Sequence, residues 1–133
     1  MGGLVALNYA AQATVKPACI VGVIPVINVD DVRANNRGSF AADINSAYGT
    51  YNESTMGANS NPYTMRAAAK LLGIPMLFFY GLSDAICMPS FTEGFAAADP
   101  TNRTLVSMST GHEEASYINA NRPQIMSFLG TYL

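Results

Sequence analysis

Two residues in this chain are of the types and spacing that move protons. His112 is the only histidine among 133 residues, and Asp84 precedes it by 28 positions. An imidazole takes up and releases a proton near neutral pH, and a carboxylate on its far nitrogen fixes its tautomer and steadies the imidazolium. Each stands in a short loop after an apolar run: Asp84 in Gly81-Leu82-Ser83-Asp84, His112 in Ser109-Thr110-Gly111-His112. Taken singly, Asp84 reads as a turn aspartate and His112 as a surface histidine near a helix start. Taken together, their separation is one helix plus one strand, the span between neighbouring loops of a parallel sheet.

Other candidates carry less. Cys87 reads as an ordinary loop cysteine, and Cys19 as a small thiol buried in an apolar strand. Two cysteines do not make a disulfide framework. One histidine, with no Cys or His pair at ligand spacing, gives no metal site, and Gly2-Gly3 is no dinucleotide fingerprint, so no cofactor is implied. A net charge of −2 leaves no basic footprint for nucleic acid or an anionic membrane. No apolar run reaches the roughly 18–20 residues of a membrane span. Met1 leads into Gly2-Gly3 without a charged or apolar leader, so no signal peptide is in view, although an upstream segment could carry one. The localisation stays open.

The elements must place both residues on one side of a sheet. Half of the residues are hydrophobic and 12% are charged, which suits one domain with a real core. Helix spacing runs over 2–13, and 18–27 is a β-branched run suited to a strand covered on both faces. Residues 28–61 hold seven asparagines and no single regular element; so long an irregular stretch suits a lid or binding loop. Its Arg33, Arg37, Tyr48 and Tyr51 either select a substrate or merely belong to a solvated cover. A helix is predicted over 64–72, a strand over 74–80, a helix over 90–98 and a strand over 103–108. A last helix over 113–133 restarts near Pro123. This alternation predicts an α/β fold with three parallel strands, the 74–80 strand in the middle. In such sheets ligands bind at the carboxyl ends of the strands, where Asp84 and His112 both stand. Three strands are few, so something further should cover the open edge of the first.

The succession strand, Gly-x-x-Asp, helix, strand, Gly-His, helix resembles the last third of the α/β-hydrolase family, as does the order acid then histidine. The opening Met1-Gly2-Gly3-Leu4 followed by a helix resembles the end of that family's G-x-S-x-G elbow, which puts the serine one residue before Met1. The resemblance implies a partial α/β-hydrolase fold, one domain over 1–133 with 28–61 as its lid, whose amino-terminal part is missing. It implies a serine hydrolase acting on a small carboxylic ester, with Asp84 and His112 as triad acid and base and the backbone N–H of Met1 as an oxyanion donor. No G-x-S-x-G lies within the chain, which reads as an inactive fragment or a reading frame begun at an internal methionine. Asp99 is the second choice for the acid. The alternatives are a non-catalytic binding module on a degenerate hydrolase, or peptidase, dehalogenase or epoxide hydrolase chemistry on the same fold.

Overall fold

Apolar residues that alternate in direction along an extended chain can be covered on both sides, and the middle strand does this. In β2, Met76–Gly81, every residue is buried. Met76 and Phe78 pack to one side with Ile20, Ile74, Leu71 and Phe95, while Leu77 and Phe79 pack to the other with Ile24, Cys87 and Tyr117. The computed structural model describes residues 2–49, 51–52, 54 and 58–133, with backbone alone at 114–116. Its sheet has the order β1-β2-β3, from β1, Ile20–Val23, through β2 to β3, Arg103–Met108. Both pairings are parallel, Ile20 opposite Met76 and Met76 opposite Arg103, as the alternation predicts.

Helices cover the two faces. Helix α1, Gly2–Gln12, buries Leu4, Leu7, Ala10 and Ala11. Helices α2, Val29–Ala34, and α3, Ala41–Tyr48, follow β1, and α4, Ala58–Ser60, is a single turn. Helix α5, Pro89–Ala96, carries its proline in the first turn, where the missing N–H costs nothing. Helix α6, Glu114–Tyr132, brings Tyr117, Ile125 and Phe128 against the Leu77 and Phe79 side of the sheet. No helix among the described residues is long and apolar enough to cross a membrane.

Four expectations need correction. The first strand stops at Val23, because Ile24 takes φ +43° and Pro25 follows. Cys19 therefore precedes the strand and is only half-buried. Residues 64–72 form successive turns instead of a helix. Their bonds run from Ala68 N–H to the Met65 carbonyl and from Leu71 N–H to the Ala68 carbonyl, three residues apart, while Lys16 Nζ takes the carbonyls of Ala69 and Leu72. The 28–61 stretch is not irregular throughout, since α2, a turn at Arg37–Ser39 and α3 lie within it. The last helix runs through Pro123 without restarting.

The amino ends of β2 and β3 are tied by charge. Arg103 is buried, with Nη1 on the Phe95 carbonyl at 2.5 Å and Nη2 on the Leu71 carbonyl at 3.3 Å. Its guanidinium stacks over the Phe95 ring. Asp99 accepts from Gly73 N–H at 2.8 Å and from Asn102 Nδ2 at 2.9 Å. These bonds, the Gly73 amide first, hold its carboxyl below the usual range.

Two outcomes follow. Phe78→Ala, which empties a fully buried ring position, should cost about 3–5 kcal/mol in urea unfolding. A depressed carboxyl stabilises the fold above its unfolded pKa and loses that contribution as pH falls through the folded one. Asp99→Asn should therefore be less stable than the parent near neutral pH, and the difference should vanish in acid; a difference that persists there would assign the effect to packing.

Candidate active site

A parallel strand leaves the sheet at its carboxyl end, and the loops there are placed by the register beneath them. Gly81 is opposite Met108 in the β2–β3 pairing. The ladder continues past it, from Leu82 N–H to the Met108 carbonyl at 2.8 Å and from Ser83 N–H to the Thr110 carbonyl at 3.2 Å. These bonds carry the Asp84 loop alongside the His112 loop. Tyr117 then fixes the second loop from α6: its hydroxyl donates to the Gly111 carbonyl at 2.7 Å and accepts from Thr110 Oγ1 at 2.9 Å.

The result is a buried acid against a partly exposed base. Asp84 Oδ1 accepts the N–H groups of Ile86 and Cys87 at 2.8 and 2.9 Å, which locks the carboxylate plane. Its Oδ2 lies 3.0 Å from His112 Nδ1, with the Asp84 side chain fully buried and the His112 side chain 32% exposed. A carboxylate only accepts, so the proton of this bond belongs to Nδ1, leaving Nε2 with its lone pair. That is the tautomer a general base needs.

His112 opens on a cavity of about 310 Å³. Its walls come from the carboxyl ends of all three strands, with Ile24, Ile86 and His112, from the start of α1, with Leu4, and from the 28–61 segment, with Val32, Phe40 and Ile44. Ile24 holds a left-handed backbone conformation that β-branched residues avoid, at a cost on the order of 1–2 kcal/mol.

Comparison with solved structures finds this arrangement of strands and helices elsewhere. The chain superposes on puromycin hydrolase with a TM-score of 0.66 at 18% identity, covering 96% of this chain and 20% of that one. The acetyl xylan esterase from Paenibacillus sp. R4 gives 0.66 at 20% identity, covering 99% and 43%. The Pyrococcus furiosus esterase Pf2001 gives 0.61 at 17% identity, covering 98% and 49%. The chain has part of the α/β-hydrolase fold. The chain spans a fifth to about half the length of these neighbours. No family model matches the sequence, and no curated protein matches it.

Within this α/β-hydrolase fold the sequence candidates sort as follows. Asp84 and His112 come together. Met1 lies outside the described residues. Asp99 is bonded to Gly73 and Asn102 at the amino ends of the strands, the wrong end of the sheet to reach His112. Cys87 is buried, and one donor atom each of Asp84, Cys87 and His112 lie within 4.8 Å of one another. The sequence argument against a metal rested on ligand spacing and overlooked this grouping. In the structure, Asp84 Oδ2 and His112 Nδ1 face each other at 3.0 Å.

The four residues of the 28–61 segment nominated from sequence do not line the cavity. Arg37 pairs with Asp31 and reaches the Ala85 carbonyl at 3.2 Å. The Arg33 guanidinium lies over the Tyr51 ring, which meets Tyr48 edge-on. The Tyr51 hydroxyl donates to Asp30; burial first, and then that bond, push its pKa far above the usual range. Buried Asn61 closes the set, its Nδ2 donating to Asn28 Oδ1 at 2.8 Å and Asp30 Oδ2 at 2.5 Å. Sequence reasoning missed Tyr117, Asn28, Asp30 and Asn61; the asparagine-rich composition was the one available signal for the last three.

Gly81 offers the sharpest test of this positioning. A Cβ there would meet the Tyr117 hydroxyl at 2.2 Å and the Thr110 and Gly111 carbonyls at 2.5 and 2.7 Å. Gly81→Ala should displace the His112 loop, cost about 1–3 kcal/mol, and remove the Nδ1–H signature from the ¹⁵N spectrum of the single imidazole. Gly130→Ala, with open space around its Cβ, should leave that spectrum unchanged.

Proposed function

We propose that this chain is the acid- and base-bearing part of a serine hydrolase that cleaves carboxylic esters in a longer protein. The observation that carries the reading is the buried Asp84 carboxylate 3.0 Å from His112 Nδ1, with the ring at the edge of an apolar cavity. The names of two structural neighbours, esterases both, support the substrate class. In this reading the nucleophile is a serine immediately before Met1. His112 Nε2 takes the hydroxyl proton as the oxygen bonds to the ester carbonyl carbon, then returns it to the leaving alcohol. Water repeats the cycle on the acyl-enzyme. Asp84 stabilises the imidazolium, and the Met1 peptide N–H, if it follows the serine, donates to the oxyanion. The 28–61 segment acts as a lid.

The chain alone should hydrolyse no ester, because a base without a nucleophile cannot form the acyl-enzyme. The longer protein, with the natural upstream segment, should cleave a short activated ester. There Asp84→Asn should lower kcat on the order of 10⁴-fold, by analogy with the protease triad, or about 5 kcal/mol. His112→Ala should leave only the rate due to binding and the oxyanion hole. Full activity in a folded His112→Ala protein would end the reading. A glycine or alanine before Met1, with ligand binding and no turnover, would favour a binding module.

A further inference from the structure

Eight of the ten described residues around the cavity beside His112 are aliphatic or aromatic; the other two are His112 and Asp43. At about 310 Å³ it is roughly twice the size of an apolar cavity that holds one benzene, about 150 Å³, and sits at the lower end of ordinary ligand pockets. Two polar side chains of the surrounding segment are engaged elsewhere: Arg37 is held by Asp31 and Tyr51 by Asp30. Ile24 keeps an unfavourable left-handed backbone at the cavity wall. Strain at a β-branched residue persists only where its surroundings demand it, and it clusters at ligand sites. The one carboxylate among the described lining residues, that of Asp43, stands on the exposed side of α3 at the rim.

We propose that this cavity binds the apolar part of a neutral ester of medium size, and that Ile44 and Phe40 set its length limit while Asp43 turns away carboxylates. This rests on the hydrolase reading for the word ester; the size and charge selection is independent of it. An apolar wall rewards each methylene that fits and offers nothing beyond its end. A ligand carboxylate near Asp43 meets like charge and finds no lysine or arginine among the described lining residues.

Uncharged methyl ketones mimic the ester without being cleaved, so binding can be measured apart from catalysis. Equilibrium dialysis would compare methyl ethyl, methyl hexyl and methyl decyl ketone, and octanoate, on the chain, or on the longer protein where the chain associates. Methyl hexyl ketone should bind on the order of a hundredfold tighter than methyl ethyl ketone, with no further gain for methyl decyl ketone. Octanoate should bind at least about tenfold more weakly than methyl hexyl ketone, and Asp43→Asn should close that gap. Ile44→Phe, which fills the cavity, should abolish the preference for the hexyl chain. Because that substitution can disturb the core, Phe40→Ala at the half-open rim gives a second readout: methyl decyl ketone should then overtake methyl hexyl ketone. Equal affinity for all three ketones, or an unchanged profile in folded Phe40→Ala, overturns the size selection. An octanoate gap that survives Asp43→Asn overturns the charge selection. Selective ketone binding in a longer protein that hydrolyses no ester would overturn the hydrolase reading and leave the cavity's role standing.

Discussion

The site depends on one close approach. At Gly81 the His112 loop crosses so near to β2 that the Tyr117 hydroxyl and two carbonyls occupy the space where a side chain would begin. Everything that brings base to acid passes through this crossing. The parallel register sets Gly81 against Met108, the ladder continues into both loops, and Tyr117 fastens the second loop from the helix that follows it. A backbone hydrogen bond is worth only about 1 kcal/mol net, but these act on two rigid strand ends. The imidazole therefore has little freedom left to lose when it meets Asp84, and such pre-organisation is what a proton relay requires.

The 28–61 segment solves a different problem: it must roof an apolar cavity although it is built largely of polar residues. It does so by satisfying those residues among themselves. Asn28, Asp30, Tyr51 and Asn61 join the two ends of the segment through one hydrogen-bonded set, and Arg37 ties its middle to the Ala85 carbonyl, directly beyond Asp84. With the polar groups occupied, Val29, Val32 and Ile44 are free to pack inward with Leu4. A buried polar group costs its full desolvation when unpaired and little when paired. A polar sequence can thereby present an apolar wall.

This division explains what was legible in the sequence. Strands β2 and β3 were readable because their runs are bounded by Gly81 and by Pro100 upstream of Arg103, and because β2 is buried on both faces. Asp84 and His112 were readable because a strand-loop-residue order projects directly onto one end of a parallel sheet. The helix expected at 64–72 failed because composition reports propensity, while the turn series there is fixed by partners distant in sequence, Lys16 and Arg103 among them. The selectivity of the 28–61 segment was sought in Arg33, Arg37, Tyr48 and Tyr51, the residues with chemistry. Their partners, Asp30, Asp31 and Ala85, decide that they face away from the cavity, and such pairing is a tertiary fact that spacing does not encode. Ile24 gave no signal at all, since nothing in the residue type announces a left-handed backbone.

The two ends of the sheet consequently do different work. At the amino ends, the buried Arg103 charge and the Asp99 carboxylate hold β2, β3 and α5 together through carbonyls and amides. No cavity-lining residue takes part in these bonds. At the carboxyl ends lie the features that cost stability: a strained Ile24, an apolar void, and a glycine that only a crossing loop can justify. Strain of this kind survives only where the surrounding structure over-determines it, and here the surroundings are the doubly covered β2 and the tied amino ends. A fold arranged so keeps the ties at its amino ends apart from its cavity walls. The cavity residues Phe40 and Ile44 are correspondingly on the segment joined to the sheet by side-chain bonds and apolar packing, outside the sheet's own ladder.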